Sequence, residues 1–233
     1  MILSKIRQEL KQNIDKKYKQ TSYSFFKEKI MLYGVRAPIV RKISKKYFLD
    51  IKDLDKKEIW NLCEELLKSG YNEEKTVAFD WAYRLEKQYT KSDFKIFERW
   101  LKEYVSNWGD CDDFCTHAFG KLIFLFPEFL VKLPVWAKNK NVWVRRASAV
   151  ILIYPNRKDK YIDESFQIAD ILLKDKEDLV QKGYGWLLKE ISNKDKKIVF
   201  DYVMKNKTQM LRTALRYAIE KLPSNLKKQA MLK

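Results

Sequence analysis

The chain has 233 residues and carries 48 Lys and Arg against 31 Asp and Glu, for a formal charge of +17 and a pI of about 9.6. With 46% hydrophobic and 14% aromatic residues it lies outside the disordered class, and six Gly and five Pro supply few turns for an all-β chain. Three scattered cysteines, Cys63, Cys111 and Cys115, form no disulfide framework, which suits a reducing compartment.

Helical periodicity begins early. Pro38 in RAPIVRKISKKY marks a helix start, because the amide proton that proline lacks has no partner in a first turn. In KEIWNLCEELLKSG, Ile59, Leu62, Cys63, Leu66 and Leu67 recur at spacings of three and four until Gly70 supplies a stop. The next helix is expected from Asn72, a good cap, with Glu73 and Glu74 in the positive first turn and VAFDWAYRLEK as its body. The most apolar stretch, LIFLFPEFLVKLPVW, is broken by Pro127, Glu128, Lys132 and Pro134, so it is not a simple membrane span. The start, MILSKIRQEL, is too polar for a secretory leader. A single domain over residues 1–233, cytoplasmic and monomeric, with roughly a dozen helices, is the expectation.

The C-terminal half repeats itself. VWVRRASAVILI, DLVQKGYGWLLKEI and QMLRTALRYAIEKL align with Val144, Val180 and Leu211 in one column and Ala147, Gly183 and Ala214 in another. A small residue at one column permits close helix approach, and each unit reads as the second helix of a pair that cannot bury its apolar face alone. The fold expected is all-α, a curved solenoid of HEAT-like antiparallel helix pairs. The same alignment sets Arg145 or Arg146 with Lys182 and Arg212 on one face, a basic surface suited to the phosphates of a nucleic-acid duplex. Trp143, Trp186 and Tyr217 lie near these cations; at helical spacing such aromatics serve a core more often than a base.

Against this basic background the stretch NWGDCDDFCTHAF, residues 107–119, gathers three aspartates, two cysteines and the only histidine. Cys111 and Cys115 share a helical face, but His117 points elsewhere and no second ligand cluster exists, so no metal is expected and the cysteines read as core. Asp110, Asp113 and His117, at i, i+3 and i+7, form the other face. One explanation is a helix start capped by Asn107 or Asp110, with Asp112 in the favourable first turn. Another is chemistry. A carboxylate facing a polyanion costs binding energy, which points to a task involving positive charge, such as stabilising the sugar cation that forms as a cationic purine departs.

Three segments, NWGDCDDFC, NVWVRRASAV and LVQKGYGWLLKE, in this order and spacing, resemble the AlkD-like DNA alkylation repair proteins, a superfamily of HEAT-like-repeat DNA glycosylases. The resemblance begins around SFFKEKIMLYGVRAPIVRKI and covers nearly the whole chain. It implies excision of cationic N3- or N7-alkylated purines from duplex DNA in a basic cleft, without cofactor. It also implies roles residue by residue: Asp113 as the catalytic carboxylate, held ionised by surrounding Arg and Lys, Arg146 as a DNA contact, and Trp186 beside the lesion. Two positions depart. Gly109 stands where a second aromatic is expected, with Trp108 one place earlier, and Phe25 stands where tyrosine is usual. A rearranged cradle of this kind also fits a member that binds damaged or branched DNA without catalysis. A scaffold for another protein fits the repeats but not the charge.

Overall fold

The computed structural model describes residues 1–232, whose regular secondary structure is helical, with no β-strand among them beyond one isolated bridge between Met31 and Tyr71. The all-α class is therefore as expected. The chain divides into two compact units, Met1–Ala118 and Phe119–Lys233. No helix among the described residues is long and apolar enough to cross a membrane.

The first unit contains α1 (Ile2–Gln12), α2 (Lys16–Ser22), α3 (Ala37–Phe48), α4 (Lys56–Lys68), α5 (Asn72–Arg84), α6 (Asp93–Glu103) and α7 (Trp108–Phe114). Its organiser is α5, which packs against α3, α4 and α7. Helix α4 begins with a reciprocal capping box between Asp55 and Glu58. It ends at Gly70, whose φ of +76° is the left-handed conformation that closes many helices. Asn72 is not the cap of α5 but its first helical residue; Tyr71 precedes it without a side-chain cap. Glu73 and Glu74 are instead buried anchors. Glu73 accepts from the backbone amides of Tyr33, Gly34 and Val35, and Glu74 from Arg7 and the Tyr33 hydroxyl. Carboxylates this deep need such partners, since a buried charge without them is costly.

A ring cluster fixes α7. Phe79 stacks on Phe114 at 4.6 Å between centroids, Phe97 meets Phe114 edge-on at 5.2 Å, and Trp100 stacks on Phe97. Burying Phe114 alone contributes about 1.5–3 kcal/mol. The consequence is positional: the next residues along, Asp80 and Asp113, are carried together.

The second unit contains α8 (Gly120–Leu125), α9 (Leu133–Trp136), α10 (Val142–Val150), α11 (Ile153–Asn156), α12 (Ile162–Leu172), α13 (Asp178–Ser192), α14 (Lys196–Asn206), α15 (Arg212–Ala218) and α16 (Ser224–Met231). Helix α13 lies between α10 and α15, with α12 and α14 also against it. The small-residue column does what its spacing predicts. Gly183 faces Arg146 and Val150 of α10, and Ala214 of the same column is approached by Gly185, outside it, so closely that an added Cβ there would sit 2.9 Å from the Ala214 carbonyl oxygen. Val144 and Val180 are fully buried, but Leu211, placed in their column by the alignment, precedes α15 and is 39% exposed. The third repeat is one turn shorter at its start. Pro127 opens a 3₁₀ turn, Pro127–Lys132, and not an α-helix.

Candidate functional site

The acidic stretch becomes α7 followed by a π-helical turn, Cys115–Phe119. Asn107 is the cap, its side chain accepting from the Asp110 amide at 3.0 Å. Asp110 turns inward to a buried ion pair with Lys75 at 2.8 Å, supported by Ser106. Burial raises its carboxyl above the ordinary value, and the Lys75 charge opposes this. Asp110 and Asp113 therefore do not form one acidic patch. Asp112 lies in the second turn, half-buried. Cys111 and Cys115 are buried core residues. Among the described residues no three His, Cys, Asp or Glu side chains gather in a way that could hold a metal ion.

Asp113 occupies the most elaborate electrostatic setting in this unit. Its Oδ1 meets the Arg41 guanidinium of α3 through Nη2. The other arm of Arg41, Nη1, lies 3.6 Å from Asp80 Oδ1 on α5. Asp80 is also bound by Arg84 at 2.7 Å and accepts from the Ser44 hydroxyl. His117, one turn on from Asp113, approaches its carboxylate at 3.4 Å. Its Nδ1 lies 2.9 Å from the Asp113 carbonyl oxygen, and Tyr83 meets its ring edge-on. π-Turns recur at functional sites because the extra residue re-aims side chains locally.

Arg41 supplies a cation beside Asp113, yet burial dominates: it raises the carboxyl above its ordinary value, opposed first by the charge of Arg41 and then by its hydrogen bond. The expectation of a carboxylate simply held ionised by basic neighbours is corrected to a desolvated carboxylate whose charge depends on one guanidinium. The Asp113 side chain retains 15% exposure and Arg41 37%. A cavity of about 200 Å³ lined by Arg41, Phe79, Asp80, Tyr83 and His117 opens at the cluster.

Phe25, Phe26 and Trp108 lie together at the start of α7. The Trp108 indole donates to the Phe25 carbonyl at 3.2 Å, and Phe26 stacks on Trp108 at 5.3 Å. Gly109 lies against the Phe26 ring, at 3.8 Å from where a Cβ would be. Phe25 itself is 68% exposed. These rings border a cavity of about 350 Å³ whose walls include Val40, Thr76 and Leu32. Sequence reading singled out Trp108 and Phe25 and missed Phe26. It also missed Arg41 and Asp80, although Asp80 stands out as a carboxylate inside the apolar run VAFDWAY with Arg84 four residues on.

In the second unit the four cations assigned to one exposed face divide. Arg145 binds Asp175 at 2.7 Å and caps the carbonyls of Asn139 and Lys140. Lys182 pairs with Asp178 at 2.7 Å. Arg146 is 4% exposed and donates to the Leu179 carbonyl. Arg212 is exposed. The uniform basic face is corrected accordingly: repeat spacing sets the phase of each helix but is blind to the carboxylates that other segments bring. Trp186 is half-buried, Trp143 belongs to the core, and Tyr217 is half-buried beneath the Lys189 ammonium at 5.6 Å.

With this geometry established, comparison with known proteins is informative. A family model described as DNA alkylation repair enzyme matches residues 6–222. A solved structure described as a predicted DNA alkylation repair enzyme from Enterococcus faecalis superposes with a TM-score of 0.79 at 17% identity, covering 91% of this chain and 98% of that one, a likeness of fold. No curated protein matches the chain.

Proposed function

The chain belongs to the DNA alkylation repair enzyme family, and from that premise we propose that it is a monofunctional DNA glycosylase releasing cationic N3- or N7-alkylated purines from duplex DNA, residues 1–233 acting as one functional domain. The observation that carries this reading is the Asp113 carboxylate: partly exposed, desolvated, and matched to a single guanidinium in a chain of strong positive charge.

Alkylation at N3 or N7 makes the purine a cation, so the C1′–N bond can break with its electron pair leaving on the base, which departs neutral and needs no general acid. The sugar is left with oxocarbenium character. Asp113 stabilises that charge, which is fully developed only in the transition state, and orients a water whose oxygen adds to C1′ while its proton is lost to the carboxylate or to solvent. Phe25, Trp108 and Trp186 are assigned to the cationic base through cation–π contact. Arg146, Lys182 and Arg212 are assigned to the phosphate backbone, with Arg212 the most accessible, whereas Arg145 is left to Asp175.

A second reading has a specific observation in its favour. Asp113 is already paired with Arg41, and Gly109 lacks an aromatic ring, as would suit a protein that recognises damaged or branched duplex DNA without cutting the glycosidic bond. Release of free base from methylated duplex, with Asp113→Asn as control, separates the two. Wild-type release that collapses in the variant supports the glycosylase. Binding with no release by wild type supports the second reading.

A further inference from the structure

The cluster around Asp113 has a charge balance that bears on how DNA engages it. Two carboxylates, Asp113 and Asp80, are matched by two guanidiniums, Arg41 and Arg84. As folded, the cluster offers an incoming cation no net negative charge. The two guanidiniums are not equivalent. Arg84 is tied to Asp80 by a short bond within α5 and stacks over Phe48 at 5.5 Å. Arg41 reaches both carboxylates, is more than a third exposed, and borders the cavity at the cluster.

We propose that Arg41 is a phosphate-contacting residue held in reserve by Asp113: on binding DNA that carries a cationic base its guanidinium leaves Asp113 for a backbone phosphate, with Asp80 retaining its other edge. The Asp113 carboxylate is then left with a net negative environment into which the substrate's own positive charge moves. The exchange is of one cation for another, so the buried carboxylate is never without a counter-charge, a state that would be costly. Asp80 makes the transfer local. Ser44 and Arg84 fix it from α3 and from its own helix, so a guanidinium pivoting about it moves without leaving the cluster. His117 and Tyr83 also face the cluster, His117 at 3.4 Å from the Asp113 carboxylate, and both line the cavity. Arg41 thereby becomes a positioning residue acting through Asp113 as well as a DNA contact. The assignment rests on the reading that Asp113 faces DNA.

The test is a binding cycle that does not require base release. Affinity of the full chain for undamaged duplex is measured across a salt series for wild type, Asp113→Asn, Arg41→Gln and the double variant. If Asp113 holds Arg41 back, Asp113→Asn frees it, so binding tightens and the log–log salt slope steepens by about one phosphate contact. In the Arg41→Gln background the same change should do neither. An equal or larger gain there would mean that Asp113 acts by plain repulsion, and the proposal falls. Should Arg41→Gln fold poorly, the Arg41 Nε resonance of wild type, followed by NMR as duplex carrying an N7-methylated purine is added at low salt, serves instead. A shift saturating with the duplex supports the transfer, and an unmoved resonance overturns it. Loss of the glycosylase reading would appear separately, as absent base release with the binding cycle intact.

Discussion

Asp80 and Asp113 stand on different helices, 33 residues apart in the chain, and share one guanidinium, that of Arg41, because the rings immediately preceding Asp80 and following Asp113, Phe79 and Phe114, are stacked in the core. The polar cluster is a by-product of apolar packing: the stack sets the helix spacing, and the carboxylates inherit it. This gives Asp113 a defined place without a bond of its own to the backbone frame.

Asp113→Asn is expected to lower single-turnover base release by about two orders of magnitude, the typical scale for losing one electrostatic stabiliser. DNA affinity should be equal or better. Asp112→Asn, in the second turn of α7, should change the rate far less. Parallel rate and affinity measurements on the two variants check this, and equal loss in both would remove the assignment to Asp113.

Arg145 and Arg212 provide a contrast in the second unit. Arg145→Ala should lower the thermal midpoint, because Asp175 and two carbonyls lose their donor, while leaving the salt dependence of DNA binding unchanged. Arg212→Ala should leave the midpoint alone and flatten the salt slope by about one. Thermal melts combined with binding titrations at several salt concentrations read out both.

Lys75→Met should cost about 3–5 kcal/mol at neutral pH, since Asp110 then keeps a buried charge without its partner. The folded-state carboxyl of Asp110 is already raised by burial and would rise further. A raised acid binds its proton more tightly folded than unfolded, so stability falls as pH rises through that range. The deficit of the variant should therefore shrink on acidification, once Asp110 is protonated. Urea unfolding of wild type and variant from neutral to acid pH measures it.

Gly185→Ala should destabilise by about 1–3 kcal/mol, because the new methyl would lie 2.7 Å from Tyr217 Cβ and 2.9 Å from the Ala214 carbonyl oxygen, and backbone cannot yield cheaply. Gly183→Ala meets chiefly the Arg146 side chain, at 3.2 Å, and should cost less. Chemical denaturation of the pair orders them, and the reverse order would contradict the close packing of α13 on α15.

What the sequence made legible followed from periodicity. Ile59, Cys63, Leu66 and Leu67 announced α4 and its buried face, and Gly183 announced the close approach of α13 to α10. The stretch 107–119 stood out because it is acidic in a basic chain, and the family resemblance chose Asp113 within it. The partners of Asp113 were not singled out, because Arg41 is 72 residues away and nothing local in VRKISKK distinguishes it from its neighbours. The reverse error has the same origin. Arg145 looked free because Asp175, the carboxylate that occupies it, lies 30 residues on, outside its own helix. Periodicity reports which way a side chain faces, and pairing across elements reports what it meets.

Glu73 gives the amino-terminal segment a particular kinetic character. By accepting from three successive amides at Tyr33, Gly34 and Val35, it fastens that stretch to α5, so those protons should exchange with solvent only as slowly as α5 itself opens. The preceding residues 26–30 carry no regular secondary structure, and their amides should exchange far sooner. Phe25 therefore rides on a tether clamped at both ends, by α2 on one side and Glu73 on the other. An exposed ring so mounted can change its position without loosening the helices that hold Asp113.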